Sequence, residues 1–284
     1  MIPRRGFLAG SAAFAALPFH ACAAAPHEPP RMTVAGRCEQ ASLVVGKCAS
    51  APSRVSLDGN RLRCTDAGVF AFGLAYDQTR MADLAAEFPD GLVEHLGVIP
   101  LVRKYDVQAV NGLPQNTVTP PKEVEERIAR ENALVAAARK LDSDLTSFAD
   151  PFDWPIKGIV SGTFGNRRID NGKEMAPHFG VDIAAADGTP IHAPADGTVT
   201  LAEPDFYLTG GTTMLDHGHG VSTVYLHQSA LKVKVGDRIK RGEIIGLVGM
   251  KGRATGPHLH WGMNWFQMRL DPSRSAATPE PGKG

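Results

Sequence analysis

One pattern repeats through residues 152–272, where short segments rich in β-branched and apolar residues alternate with glycines and other turn residues. Segments of about four to eight residues with such bounds are typical of strands, and few of them show the 3.6-residue period of an amphipathic helix. The pattern therefore predicts a mostly antiparallel β-domain. Its predicted strands are 158–164, 180–183, 197–202, 212–216, 222–226, 244–248 and 258–263.

The chain before this region has the same β character. Residues 55–63 contain Asp58-Gly59-Asn60 between two β-rich segments, and this combination is a hairpin signal. Further short segments with turn residues between them continue to about residue 114. We therefore predict a small all-β accessory domain over residues 31–118.

A single strong helical pattern separates the two β regions. It opens at Pro120-Pro121, and acidic residues crowd its first turns, where the positive end of the helix dipole favours them. The pattern predicts a linking helix over residues 120–147, whose charged side is interpreted as a solvated face rather than a docking surface. The residues of its apolar stripe are Val124, Ile128, Leu134, Val135 and Leu141.

The predicted fold is therefore mainly β, with a C-terminal antiparallel β-sheet domain over residues 152–272, preceded by a small all-β accessory domain and one linking helix. A length of 284 residues fits about two domains on a prior of roughly 150 residues each. The hydrophobic fraction of 43% excludes general disorder. Residues 273–284, rich in Pro, Ser, Ala and Gly, are predicted to form a disordered tail.

Charge gives no argument for a nucleic-acid or membrane-surface partner. The chain has 30 basic and 30 acidic residues, so its formal net charge is zero. We therefore expect no nucleic acid among its partners.

The N-terminus has the composition of an export signal. Arg4-Arg5 precedes Phe7 and an alanine-rich apolar run, and small residues follow up to residue 25. The paired arginines are similar to a twin-arginine signal, so residues 1–25 predict export to the periplasm or cell wall. An uncleaved anchor and a lipid-modified Cys22 are the alternatives. After removal of the signal, no integral membrane domain is expected.

Three cysteines remain beyond the signal, namely Cys38, Cys48 and Cys64. An odd number permits one disulfide and one free thiol, and the sequence does not choose the pair. None is near the histidine motifs, so they are interpreted as structural or unpaired.

The histidine pair in His258-Leu259-His260 suggests a metal site. Alternate residues of a strand point to the same face, so both imidazoles project together. His178 and Asp182 also have an even spacing, and two imidazoles with a carboxylate suit a zinc ion that keeps one position open for water. His217 and His219 form a second H-x-H pair, but the adjacent glycines predict a turn near the cleft that presents ligands poorly.

Three motif groups occur in the order found in one enzyme family. They are His178-x-x-x-Asp182, Tyr225-x-His227 and His258-x-His260, accompanied by residues 161–167, 190–197 and 235–237. The combination, over roughly residues 152–272, resembles the lysostaphin/LytM-type zinc metallopeptidases that cut peptidoglycan peptides. The resemblance implies Zn²⁺ as the cofactor, with His178, Asp182 and His260 as its ligands. It also implies that His227 and His258 are the catalytic histidines, either of which is a candidate for the general base.

The expected function is a zinc metalloendopeptidase (peptidoglycan hydrolase) that uses metal-activated water on the stem peptides of the bacterial cell wall. A catalytically silent peptidoglycan-binding activator of another wall hydrolase is one alternative. A zinc protease of secreted proteins is the other. The cleaved bond is a D-alanyl–diaminopimelate cross-link by family expectation, with a glycine bridge as the alternative.

Overall fold

Short strands dominate the computed structural model, which describes residues 29–277. The predicted export signal, residues 1–25 with Cys22, lies outside the described residues. Residues 278–284 of the predicted tail lie outside them too. Residues 31–277 belong to one compact unit. Among the described helices, none combines the length and apolarity needed to cross a bilayer.

The N-terminal strands form two small antiparallel sheets, in the orders β1-β2-β5 and β4-β3-β6-β7. Asp58 and Gly59 both have positive φ in the turn between β3 and β4, which matches the twist of a two-residue hairpin and confirms the predicted one. The strands are β1 (Met32–Ala35), β2 (Leu43–Cys48), β3 (Arg54–Leu57), β4 (Asn60–Leu62), β5 (Val69–Gly73), β6 (Ala82–Glu87), β7 (Val93–Val98) and β8 (Val107–Val110).

Two helices follow, α1 (Gln115–Val118) and α2 (Glu125–Ala138). The second falls inside the predicted interval of 120–147 but is shorter at both ends, because a 3₁₀ turn precedes it and the chain leaves the helix after Ala138. Leu134 and Leu141 are 47% and 48% exposed, so the predicted apolar stripe is wrong at these two positions. Instead Val135 and Ala138 pack against the C-terminal sheet.

The C-terminal region is the predicted antiparallel β-structure. Its main sheet has the order β18-β14-β15-β16-β20-β12-β9, with β21 beside β20, and a smaller sheet has the order β13-β19-β17. The strands are β9 (Ile159–Gly162), β10 (Arg167–Asp170), β11 (Lys173–Met175), β12 (Val181–Ala184), β13 (Pro190–His192), β14 (Gly197–Phe206), β15 (Gly210–Gly218), β16 (Val221–Gln228), β17 (Ala230–Leu231), β18 (Arg238–Ile239), β19 (Ile244–Leu247), β20 (His258–Trp265) and β21 (Met268–Leu270).

Strands β2 and β5 contribute to the hydrophobic core of the main sheet, while most buried residues of the N-terminal strands form a second core of their own. Leu43 and Ala71 from the first region belong to the same buried cluster as Trp261 and Met263 of β20. Strand β8 also pairs with β10 in parallel, so the early part of the chain extends a C-terminal sheet. Part of the apolar surface of each region is thus removed from water by the other.

Two further features of this unit differ from the sequence expectation. Within residues 29–277, Cys38, Cys48 and Cys64 are free thiols, so no disulfide joins any two of them, although the sequence permitted one. Residues 273–277, which the sequence placed in the tail, belong to the folded unit, because a 3₁₀ helix spans Pro272–Arg274 and Ala276 bridges to Phe152.

Candidate metal and catalytic site

Strand register brings the two histidine motifs together. Strand β12 runs antiparallel to β20, and Asp182 lies directly opposite His260 in this pairing. Paired residues of neighbouring strands project to the same face, so the carboxylate and the imidazole meet. His178 lies in the loop just before β12, and its side chain is 5% exposed beside this pair.

The three predicted ligands converge on one point. The Nε2 atom of His178 is 2.9 Å from Asp182 Oδ1 and 3.0 Å from the Nδ1 atom of His260. His260 Nδ1 is 2.8 Å from the same carboxylate oxygen. All three ligand atoms lie within 4.8 Å of one another, so the fold places a His–Asp–His cluster able to hold a metal ion.

Hydrogen bonding outside the cluster fixes which nitrogen of His178 faces it. The Nδ1 atom lies 3.0 Å from the carbonyl oxygen of Thr163, and this carbonyl only accepts. The neutral ring therefore carries its proton on Nδ1 and presents the Nε2 lone pair to Asp182 and His260. Electron-rich atoms facing one another at about 3 Å are an arrangement that a divalent cation stabilises, and the N₂O donor set suits zinc.

The charge states of the cluster also suit a metal. Burial raises the pKa of Asp182, but its contacts with His178 and His260 outweigh burial and hold this pKa well below its usual range. Burial lowers the pKa of His260 to about 4, although its contact with Asp182 opposes that change. An ionised carboxylate and a neutral imidazole are the forms that bind metals.

An arginine that the sequence did not single out completes the surroundings of Asp182. Arg168 donates from Nη2 to Asp182 Oδ2, on the side of the carboxylate that the histidines leave free. The side chain of the neighbouring Arg167 is instead exposed and pairs with Glu174 at 2.6 Å. The sequence gave no signal that Arg168 rather than Arg167 would reach Asp182, because the choice depends on which face of β10 is turned towards the site.

The two remaining predicted residues, His227 and His258, lie beside the cluster. Their ring centroids are 4.7 Å apart, and the His258 Nε2 atom is 3.9 Å from Asp182 Oδ1. Each ring donates from Nδ1 to a carbonyl oxygen, that of Lys251 at 2.8 Å and that of Gly256 at 2.9 Å. Both imidazoles therefore keep Nε2 free to accept a proton.

His227 is held in an unusual conformation. Its φ is +64°, a left-handed value that costs a residue with a side chain about 1 kcal/mol or more. Burial, together with the nearby His258 and His260, lowers its pKa to about 3. The surrounding strands thus impose both the backbone geometry and the neutral state of this histidine.

The competing histidine pair is part of the core. His217 and His219 are both buried. His217 lies in β15, so the predicted turn is wrong for this residue, whereas His219 lies in the turn between β15 and β16 as predicted. The Nδ1 atom of His217 lies 2.7 Å from the carbonyl of Asp196, and its Nε2 atom lies 2.8 Å from the hydroxyl of Thr223. With both ring nitrogens engaged, this strand residue has no free ligand atom. The ring of Phe148 packs against His219 at 4.7 Å.

The mainly β fold and the buried His–Asp–His cluster define a candidate metallopeptidase domain. Residues 176–272 match the model of Peptidase family M23, and the chain thus carries a Peptidase M23 domain. This match covers all five histidine and aspartate positions of the site described above.

Relatives agree with this assignment. The chain is 47% identical over 106 residues to an uncharacterized metalloprotease of Haemophilus influenzae, and the aligned part is 36% of this chain and 22% of that protein. It is 42% identical over 106 residues to peptidoglycan DD-endopeptidase ShyA of Vibrio cholerae, and the aligned part is 37% of this chain and 24% of ShyA. The chain thus spans about a quarter of the length of these relatives.

A solved structure extends the likeness to the N-terminal region. The crystal structure of a candidate M23 peptidase from Pseudomonas aeruginosa aligns with this protein over 84% of the present chain and 94% of the Pseudomonas chain. The TM-score is 0.60 and the sequence identity 27%. The likeness therefore includes strands that precede the peptidase domain.

Gly180→Ala is expected to weaken metal binding. A Cβ atom at this position would lie 2.3 Å from His260 Nε2 and 2.8 Å from the carbonyl of Trp261, so the ligand ring must move. We expect Zn²⁺ affinity, measured by competition with a chromophoric chelator, to fall about 10- to 100-fold. Gly256→Ala is the matched control, because its Cβ meets nothing within 4 Å. Equal affinities for the two variants would contradict the assigned position of His260.

The buried His217 predicts acid sensitivity. Burial lowers its pKa from 6.5 to about 4, so the unfolded chain binds a proton here that the folded chain refuses. The free energy of unfolding therefore falls as the pH drops from 6.5 towards 4. Between pH 6.5 and 4.5 we expect His217→Gln to lose about 2 kcal/mol less stability than the wild type in urea denaturation. Parallel stability curves for the two proteins would rule this out.

Proposed function

We propose that the protein is a zinc-dependent endopeptidase that hydrolyses peptide cross-links of bacterial peptidoglycan. The observation that carries the proposal is the convergence of His178, Asp182 and His260, with His227 and His258 beside them, in a Peptidase M23 domain. The relative ShyA, named a peptidoglycan DD-endopeptidase, supports the choice of stem peptides as the substrate.

In this proposal the three converging side chains hold the metal. His178 binds through Nε2, His260 through Nδ1 and Asp182 through Oδ1, the atoms that face one another. When bound, zinc would supply Lewis acidity for the scissile carbonyl and would lower the pKa of the attacking water towards neutrality. Arg168 holds the other oxygen of Asp182 and thereby orients the carboxylate.

His227 and His258 handle protons in the same scheme. Their Nδ1 atoms donate to backbone carbonyls, so each ring is fixed in one tautomer with Nε2 available. A histidine of this kind accepts a proton from the attacking water or stabilises the charge of the tetrahedral intermediate. Burial keeps the His227 imidazole neutral around pH 7, the form a general base requires.

The location follows from the substrate. Peptidoglycan lies outside the cytoplasmic membrane, and the twin-arginine-like residues 1–25 supply an export signal. We therefore place the mature protein in the periplasm or cell wall. We assign an accessory domain to residues 31–118 and a linking helix to residues 120–147. The peptidase domain is assigned to residues 152–272.

Digestion of purified peptidoglycan tests the function. The zinc-loaded protein is incubated with isolated sacculi, and mass spectrometry identifies the soluble products. Loss of cross-linked muropeptide dimers with a matching gain of monomers is expected. A protein that binds sacculi without releasing monomers, and that contains no stoichiometric zinc, would instead be a silent activator. Cleavage of soluble proteins without any change in muropeptides would make it a protease of secreted proteins.

Two histidine substitutions separate metal binding from chemistry. His260→Ala removes a ligand, so we expect loss of both bound zinc and activity. His227→Ala is expected to retain zinc while kcat falls about 100-fold or more, because only the proton transfer is lost. Zinc is measured by elemental analysis and kcat by muropeptide release.

His192→Ala is the matched control, because the His192 side chain is exposed. This variant should keep both the bound zinc and the activity. Full activity of His227→Ala would remove that residue from the mechanism.

A further inference from the structure

A cavity of about 430 Å³ opens beside the metal-site histidines. His178 and His260 form part of its wall, and Val135 of α2 also contributes to the lining. Four arginines contribute to the lining, although each comes from a different part of the chain. They are Arg139, Arg168, Arg253 and Arg269.

Two of these four positive charges have acidic partners. Arg168 donates to Asp182 Oδ2, as described above. The Nε atom of Arg253 lies 3.7 Å from a carboxylate oxygen of Asp170, which is fully buried. This pair of arginines is therefore compensated within the fold.

Arg139 and Arg269 have no such compensation. Within residues 29–277, neither forms an ion pair with a carboxylate, and Arg269 donates only to the amide oxygen of Asn264 at 3.0 Å. Arg139 is 9% exposed, and its Nε atom is buried without a hydrogen-bond partner. A buried guanidinium with an unused donor is costly unless an anion completes it.

The electrostatics agree with this geometry. Burial and the charge of Arg269 lower the pKa of Arg139 to about 9, and burial lowers that of Arg269 to about 10. Both groups nevertheless stay protonated at neutral pH. Arg139 follows the C-terminal end of α2, whose partial negative charge offsets some of one guanidinium but leaves the second unmatched.

We propose that Arg139 and Arg269 form a subsite for a carboxylate of the peptide substrate, in the cavity that adjoins the metal ligands. The planar guanidinium fork matches a carboxylate in bidentate geometry, and the low-dielectric surroundings strengthen the pairing. The subsite rests on the proposed function, and it deepens that function by selecting the substrate.

The subsite distinguishes the two cross-links considered above. In a D-alanyl–diaminopimelate cross-link, the carbon bonded to the cleaved amide nitrogen also carries a free carboxylate. A glycine bridge has no carboxylate at any position near the cleaved bond. The pair of arginines therefore selects the diaminopimelate cross-link, because only this substrate brings an anion close to the metal site.

The test compares two synthetic cross-linked peptide dimers that differ at one group. One has the free diaminopimelate carboxylate, and the other has the same group as a carboxamide. With the zinc-loaded full-length protein we expect kcat/KM to be about 10- to 100-fold higher for the acid, the range expected for hydrogen bonds to a charged group. Arg139→Gln and Arg269→Gln should reduce kcat/KM for the acid and leave the amide within about threefold.

Arg130→Gln is the matched control. Arg130 lies on α2, the helix that Arg139 follows directly, but its side chain is 71% exposed. It should behave as the wild type on both peptides. Arg269→Lys keeps the charge without the fork, and we expect it to restore part of the preference for the acid.

Calorimetry with the chelator-treated, metal-free protein gives a readout that does not depend on turnover. The acid should bind about 10-fold or more tightly than the amide, and Arg269→Gln should remove the difference. Cleavage of both peptides at equal kcat/KM by the wild type would overturn the subsite while leaving the proposed function intact. Tighter binding of the acid without cleavage of either peptide would keep the subsite and refute the proposed function.

Discussion

The pairing of β12 with β20 is the constraint on which the candidate site depends. It sets Asp182 opposite His260, so that two residues 78 positions apart share one face and approach to 2.8 Å. Slippage by one residue would turn one of these side chains to the other face of the sheet. The fully buried Trp261 and Leu259 resist such slippage, because their side chains occupy the opposite layer. Core packing thus fixes the register, and the register assembles the ligands.

Backbone carbonyls then decide how the imidazoles act. His178, His227 and His258 each face a carbonyl oxygen with Nδ1, and each therefore offers Nε2 to the centre of the site. The carbonyls come from a loop before β10 and from the segment between β19 and β20. A carbonyl cannot donate, so it selects one tautomer without adding charge. The site obtains its orientation from irregular backbone that the main sheet holds in place.

Charge compensation divides the surroundings of the site into two parts. On the metal side, Asp182 is matched by histidines and by Arg168, which suits a site that binds a cation. On the cavity side, Arg139 and Arg269 lack acidic partners among residues 29–277, which suits a site that receives an anion. A peptide whose carboxylate neighbours its cleaved amide would satisfy both parts together. Helix α2, which a sequence pattern treats as a simple linker, thereby borders the cleft.

The sequence by itself determined the mainly β fold and the hairpin at Asp58-Gly59, because strand periodicity and turn signals are local properties. The five candidate residues came from motif spacing together with the resemblance to a known family. The pattern did not give the length of α2 or the burial of His217, since both depend on what packs against them. Only the tertiary structure decided that β2 and β5 pack into the core of the peptidase sheet, while the N-terminal strands keep a second core of their own. It also decided that Arg168 rather than Arg167 reaches Asp182, and that Arg139 meets Arg269 at one cavity. Such contacts join distant parts of the chain, and their geometry comes from packing and strand register rather than from sequence neighbours.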